Sequence, residues 1–73
     1  MKSQQFLEWM DRSGCRNAAD VTRKLDIGRN QAQAMVTAAK SGADVEVKRV
    51  VALAMTALAN GLQPWDAYER RLE

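Results

Sequence analysis

The chain has no histidine and a single cysteine, Cys15, in 73 residues. Without histidine, the commonest general base and metal ligand near neutral pH is missing. One thiol can form no internal disulfide, and on its own it cannot nucleate a metal cluster, so no metal is expected and a reduced intracellular setting follows. Clustered acids, a glycine-rich phosphate loop and an activated nucleophile are also missing. No catalytic site and no cofactor are therefore expected. Strand-type alternation, internal repeats and low-complexity tracts do not occur. The opening "MKSQQFLEWMDR" lacks the apolar run of a secretion signal. The longest uncharged run, Val50 to Trp65, is broken by Asn60, Gly61, Gln63 and Pro64, so no membrane span is expected. A cytoplasmic location is the resulting expectation.

What the sequence does contain is globular in balance, with 47% hydrophobic and 27% charged residues. A chain of this length makes one domain, residues 1–73. So small a domain buries only about 60% of the surface its unfolded chain exposes, and a partner subunit would add to that burial. The net charge of +2 is unevenly spread. Residues 12–49 carry eight bases against four acids, a net +4, while the two ends carry three bases against five acids, a net −2. A basic middle suits an anionic partner. Uneven solvated charge explains it equally well.

Caps and apolar spacing predict an all-α fold of five short helices. Ser3 is the expected cap of the first, whose Phe6, Trp9 and Met10 share a face and which Ser13-Gly14 ends. Asn17 caps the second, with Asp20 in its positive first turn and Val21 and Leu25 as its buried stripe. Asp26, Ile27 and Gly28 form a tight connection in which aspartate or glycine can take the left-handed backbone. The third helix runs from Arg29 to Ala39 or Lys40. Asp44 is the expected cap of the fourth, whose "VVALAMTALA" carries no charge and reads as the buried central helix, stopped by Asn60-Gly61. Pro64 then opens a fifth helix over 64–72.

The third helix divides sharply. At roughly 100° per residue, Arg29, Lys40, Gln33, Thr37 and Asn30 fall within one arc of about 100°. Met35, Ala39, Ala32 and Val36 fall within another of similar width, suited to packing on a core. Ala34 and Ala38 lie between, small enough to let a surface come close. The polar arc holds cations, amides and a hydroxyl, but no acid. Arginine can bridge guanine O6 and N7, and asparagine or glutamine can pair with adenine N6 and N7. Lysine and threonine more often hold phosphate oxygens. An ordinary solvated face that happens to lack acids is the competing explanation.

"VTRKLDIGRNQAQAM" places a helix, a three-residue turn and a second helix in succession, as a helix-turn-helix requires. The segment resembles the Cro/repressor (XRE-type) helix-turn-helix family of phage-type DNA-binding domains. Val21, Leu25, Ile27 and Met35 match its apolar positions, and Gly28-Arg29-Asn30 matches the start of its recognition helix. "VALAMTALANGLQPW" is similar to the alanine- and leucine-rich helix that closes many such domains. The resemblance spans roughly residues 4–65. Thr22 stands where the family usually has alanine, Asp26 where it has glycine, and Ala32 where it has a larger aliphatic.

The resemblance implies a lambda-repressor-like fold, with the helix-turn-helix at about 18–39, and a cytoplasmic regulator of phage or mobile-element origin in a bacterial host. Arg29, Asn30 and Gln33 would enter the major groove of double-stranded DNA and read bases. Thr37 and Lys40 would follow the backbone, Gln31 could still touch a phosphate, and Arg16 and Asn17 would meet the phosphate at the start of the second helix, with its free amides. Arg23, Lys24, Lys48 and Arg49 are weaker phosphate candidates. Phe6, Trp9, Met10, Met35 and Met55 read as packing residues, and Trp65 reads as packing rather than base stacking. Trp65, Tyr68 and Leu72 share a stripe that either covers the base of the monomer or forms a homodimer interface across a two-fold axis. The implied function is that of a dimeric repressor of an inverted-repeat operator, including its own promoter, with no small-molecule effector. In size it resembles the anti-CRISPR-associated repressors. A protein-binding inhibitor or antirepressor using the same basic face is the alternative.

Overall fold

The computed structural model describes residues 1–68, with side chains through Asp66. Four α-helices follow one another in this range: α1 (Ser3–Ser13), α2 (Ala18–Leu25), α3 (Arg29–Lys40) and α4 (Arg49–Ala59). Among the described residues there is no strand, and no helix is long and apolar enough to cross a membrane.

Helix α1 is capped one residue earlier than its serine suggests. Lys2 holds the cap position, and its backbone N–H donates to Gln5 Oε1 at 3.0 Å. Gln5 reaching back from the first turn thus ties down the helix start in place of the expected Ser3 cap. Phe6, Trp9 and Met10 are buried as a face, with the Phe6 and Trp9 rings tilted at 43° and their centroids 5.8 Å apart. Such a ring pair adds about 0.5–1.5 kcal/mol beyond its buried area. Asn17 caps α2 as its residue type predicts, its Oδ1 accepting from Asp20 N–H at 3.0 Å.

The core lies among α1, α2 and α3. Val21 and Ala32 are fully buried, and Met35, Val36 and Ala39 carry the inner face of α3 against them. Leu25 and Ile27, half-buried, hold the turn between α2 and α3 to the same cluster. Ala32 is where a larger aliphatic would crowd that contact.

After α3 the chain closes on Gly42, which sits at φ 81° while Ala43 N–H donates to Ala38 O at 3.0 Å. This left-handed closure sends residues 43–48 away on a non-helical path. Asp44 therefore caps nothing, contrary to expectation, because the fourth helix starts at Arg49 behind Lys48. What the segment does instead is deliver Val45 to the core, where it is fully buried. Val45 N–H donates to Met1 O at 2.7 Å, and the Met1 ammonium donates to Val45 O at 2.9 Å. These two bonds tie the segment to the chain's first residue.

Helix α4 is not the buried central helix that its uncharged sequence suggests. Met55 is its one buried residue, while Val50 is 70% and Leu53 62% exposed. It packs against α1 and α2, with the buried Trp9 indole N–H donating to Met55 O at 2.8 Å. Met55 joins the core and Val51, Leu58 and Ala59 pack against it, so α4 buries one side only. The fifth helix is likewise not found as expected: Trp65–Tyr68 form a single 3₁₀ turn. Trp65 is 75% exposed, so it does not pack in the monomer core. The expectations for the Tyr68 side chain and for Leu72 lie outside the described residues.

Candidate nucleic-acid interface

Helix α3 keeps the division its sequence implies. Ala32, Met35, Val36 and Ala39 face inward, and Arg29, Asn30, Gln33, Thr37 and Lys40 are all exposed. Spacing alone accounts for this, because the four inward residues are those a 3.6-residue period places over α1 and α2. Ala34 is exposed and Ala38 half-buried, so the edge of the polar arc on the Gln31 side carries little bulk.

One hydrogen bond organises this face. Gln33 Nε2 donates to Thr37 Oγ1 at 3.2 Å, one helical turn away. The bond occupies one of the two amide protons and leaves Oε1 and the other proton available. An adenine edge needs one acceptor and one donor, so the brace is compatible with a bidentate contact while limiting how the amide can rotate.

The amino-terminal ends of α2 and α3 differ in what they offer an anion. At α2, Asn17 occupies the Asp20 amide, and Asp20 Oδ2 accepts from Arg16 N–H at 2.9 Å. Asp20 also pairs with the Arg23 guanidinium. The bond from the Arg16 N–H, more than the pairing with Arg23, holds the Asp20 carboxyl below its ordinary value, so it stays ionised at that helix end. Two of the amides expected to meet a phosphate there are thus already bonded. Arg16 keeps its exposed guanidinium, and Asn17 keeps its Nδ2 group. At α3, Gly28 takes the cap position with no side chain, and no acid stands in the first turn. Its amides and the adjoining Arg29 make the more positive of the two ends.

The turn joining these helices is built around Asp26. It adopts φ 55° and ψ 47°, the left-handed conformation, while Gly28 sits at an ordinary φ of −64°. Of the two residues able to make that turn, aspartate does so. Thr22 turns its hydroxyl back to Ala18 O at 3.0 Å within its own helix.

Gln31 stands apart from the exposed polar row. It lines an open groove of about 380 Å³ between the back of α3 and residues 44–48, together with Asp44, Glu46 and Lys48. Two carboxylates beside it make this flank poorer for a phosphate than the Arg29 side. Arg23 is paired with Asp20, Lys48 lies in the Gln31 groove, and Arg12 lines a groove of about 540 Å³ between α1 and α4. The basic middle of the sequence is therefore divided among several faces. Among the described residues, no three His, Cys, Asp or Glu side chains converge as metal ligands would. Cys15 is buried, with its Sγ 3.4 Å from the Ser13 hydroxyl.

Sequence reasoning missed the apolar surface of α4. Its signal was present in "VVALAMTALA", which has no polar side to turn toward water. No family model, curated protein or solved structure matches the chain.

Proposed function

We propose that this chain is a sequence-specific DNA-binding regulator of the helix-turn-helix kind, acting on an inverted-repeat operator as a dimeric repressor that includes its own promoter among its targets. The observation that supports this most is the outer surface of α3: five exposed hydrogen-bonding or cationic side chains on one arc, with no acid among them. Helix α2 packs on α3 across a three-residue turn, which supports a helix-turn-helix reading, in which the second helix would enter a major groove while the first crosses the backbone. In this reading Arg29, Asn30 and Gln33 contact base edges. Lys40, Thr37 and the Arg16 side chain hold phosphates, and Gln31 contributes at most at the rim. The Gln33–Thr37 brace lowers the entropy lost when the amide is fixed against a base.

The test is binding to duplex DNA from upstream of the chain's own gene, measured against an unrelated duplex of equal length at several salt concentrations. Two phosphate-facing cations per copy, Arg16 and Lys40, give a log–log salt slope of about −4 for a bound dimer. Equal affinity for both duplexes, or a slope near zero, refutes the proposal. The second reading, a protein-binding inhibitor or antirepressor, draws on the exposed Val50 and Leu53, which suit a protein partner better than DNA.

A further inference from the structure

The apolar surface left on α4 has a definite shape. Val50, Leu53 and Ala57, at i, i+3 and i+7, form one stripe, and the first two are more than three-fifths exposed. Gly61, at φ 70°, then turns the chain so that Leu62 N–H donates to Ala57 O at 2.8 Å. That closure sets Leu62, 54% exposed, at the carboxyl end of the same stripe. From Val50 through Trp65 the chain has no charged residue.

Two bases open α4 just after Glu46, and among the described residues one acid follows its far end. Lys48 and Arg49 stand at the start of α4, which has no acid in its first turn and no side-chain cap. Two bases at a helix amino terminus oppose the helix dipole. Asp66, exposed, follows beyond the other end.

From this pattern we infer that the α4 stripe seats a second copy of the chain, the two α4 helices running antiparallel across a two-fold axis. An antiparallel pair brings Arg49 of each copy toward Asp66 of the other, whereas a parallel pair would set like charges together. With the axis passing between Leu53 and Ala54, each Val50 lies opposite the partner's Ala57. Large then meets small along the stripe, which allows close approach. Antiparallel dipoles also place each basic amino terminus beside the negative carboxyl end of its neighbour. With one short helix face per copy, the interface falls in the small class, below about 1,200 Å². This pairing does not depend on DNA binding.

Sedimentation velocity of the full chain across micromolar concentrations tests it. The wild type should move from monomer to dimer as concentration rises. Leu53→Glu should stay monomeric with an unchanged far-ultraviolet helical spectrum, because Leu53 is not part of the core. Arg49→Asp and Asp66→Arg should each weaken dimerisation about fivefold, there being two such pairs per dimer, and the double variant should recover most of that loss. A wild type that remains monomeric overturns the inference and leaves a different protein as the cover. A Leu53→Glu variant that dimerises like wild type also overturns it. Failure of the double variant to recover overturns the antiparallel arrangement.

Discussion

Asp26 carries the conformational burden of the turn that sets α2 against α3. A left-handed backbone costs an ordinary L-residue about 1–2 kcal/mol, and aspartate rather less, because its short polar side chain can bond locally. Asp26→Gly is therefore expected to raise stability by up to about 1 kcal/mol, while the β-branched Asp26→Val should lower it by about 1–2 kcal/mol. Urea unfolding midpoints compare the two. Asp20 carries a different expectation. Its folded-state pKa is lowered, first by the Arg16 N–H bond, so its contribution to stability is complete above the unfolded carboxylate value of about 3.9 and fades as pH falls through the lower folded value. Asp20→Asn should thus be less stable than wild type near neutrality and should converge on it in acid. A constant gap between the two urea midpoints from pH 7 to pH 2 would contradict that assignment.

Helices differ in how much of their role their residues announce. For α3 the apolar set recurs at the helical period and the polar arc is distinct, so both the inward face and the exposed row are legible in the residues themselves. For α2 the Asn17 cap is equally plain. What the residues of α2 do not reveal is the competition at its amino terminus, because Asp20 reaching back to the Arg16 amide is a matter of rotamer and turn geometry. Helix α4 misleads for a physical reason. An uncharged run shows that water is disfavoured on every side, but it does not show what provides the cover, and only one side of α4 meets the core. The start of α4 misleads because Asp44 has the right residue type for a cap, yet Val45 is drawn into the core and paired with Met1, which keeps the segment out of the helix. The two faces of α3 can be separated by mutation. Met35→Ala should cost about 2–5 kcal/mol of stability. Thr37→Ala should change stability by no more than about 0.5 kcal/mol. Thermal or urea unfolding reads both, and a similar cost for the two would mean that the faces are misassigned.

Taken together, the helices put the acid-free surface of α3 and the apolar surface of α4 on separate parts of one small domain. Neither is built from residues that the core depends on, so each can be removed without unfolding the chain. That separation ties the two proposals to distinct observables: sequence preference for α3 and self-association for α4. The most direct test of the α3 assignment is the affinity of Gln33→Ala for the preferred duplex and for an unrelated one, in the same buffer as wild type. Loss of a bidentate base contact of about 1–3 kcal/mol in each half-site, about 2–6 kcal/mol for the dimer, corresponds to a roughly 30- to 20,000-fold weaker complex with the preferred duplex. Binding to the unrelated duplex should be unchanged, because phosphate contacts carry it. An equal fall on both duplexes, or none on either, would contradict the assignment of α3 as the base-reading helix.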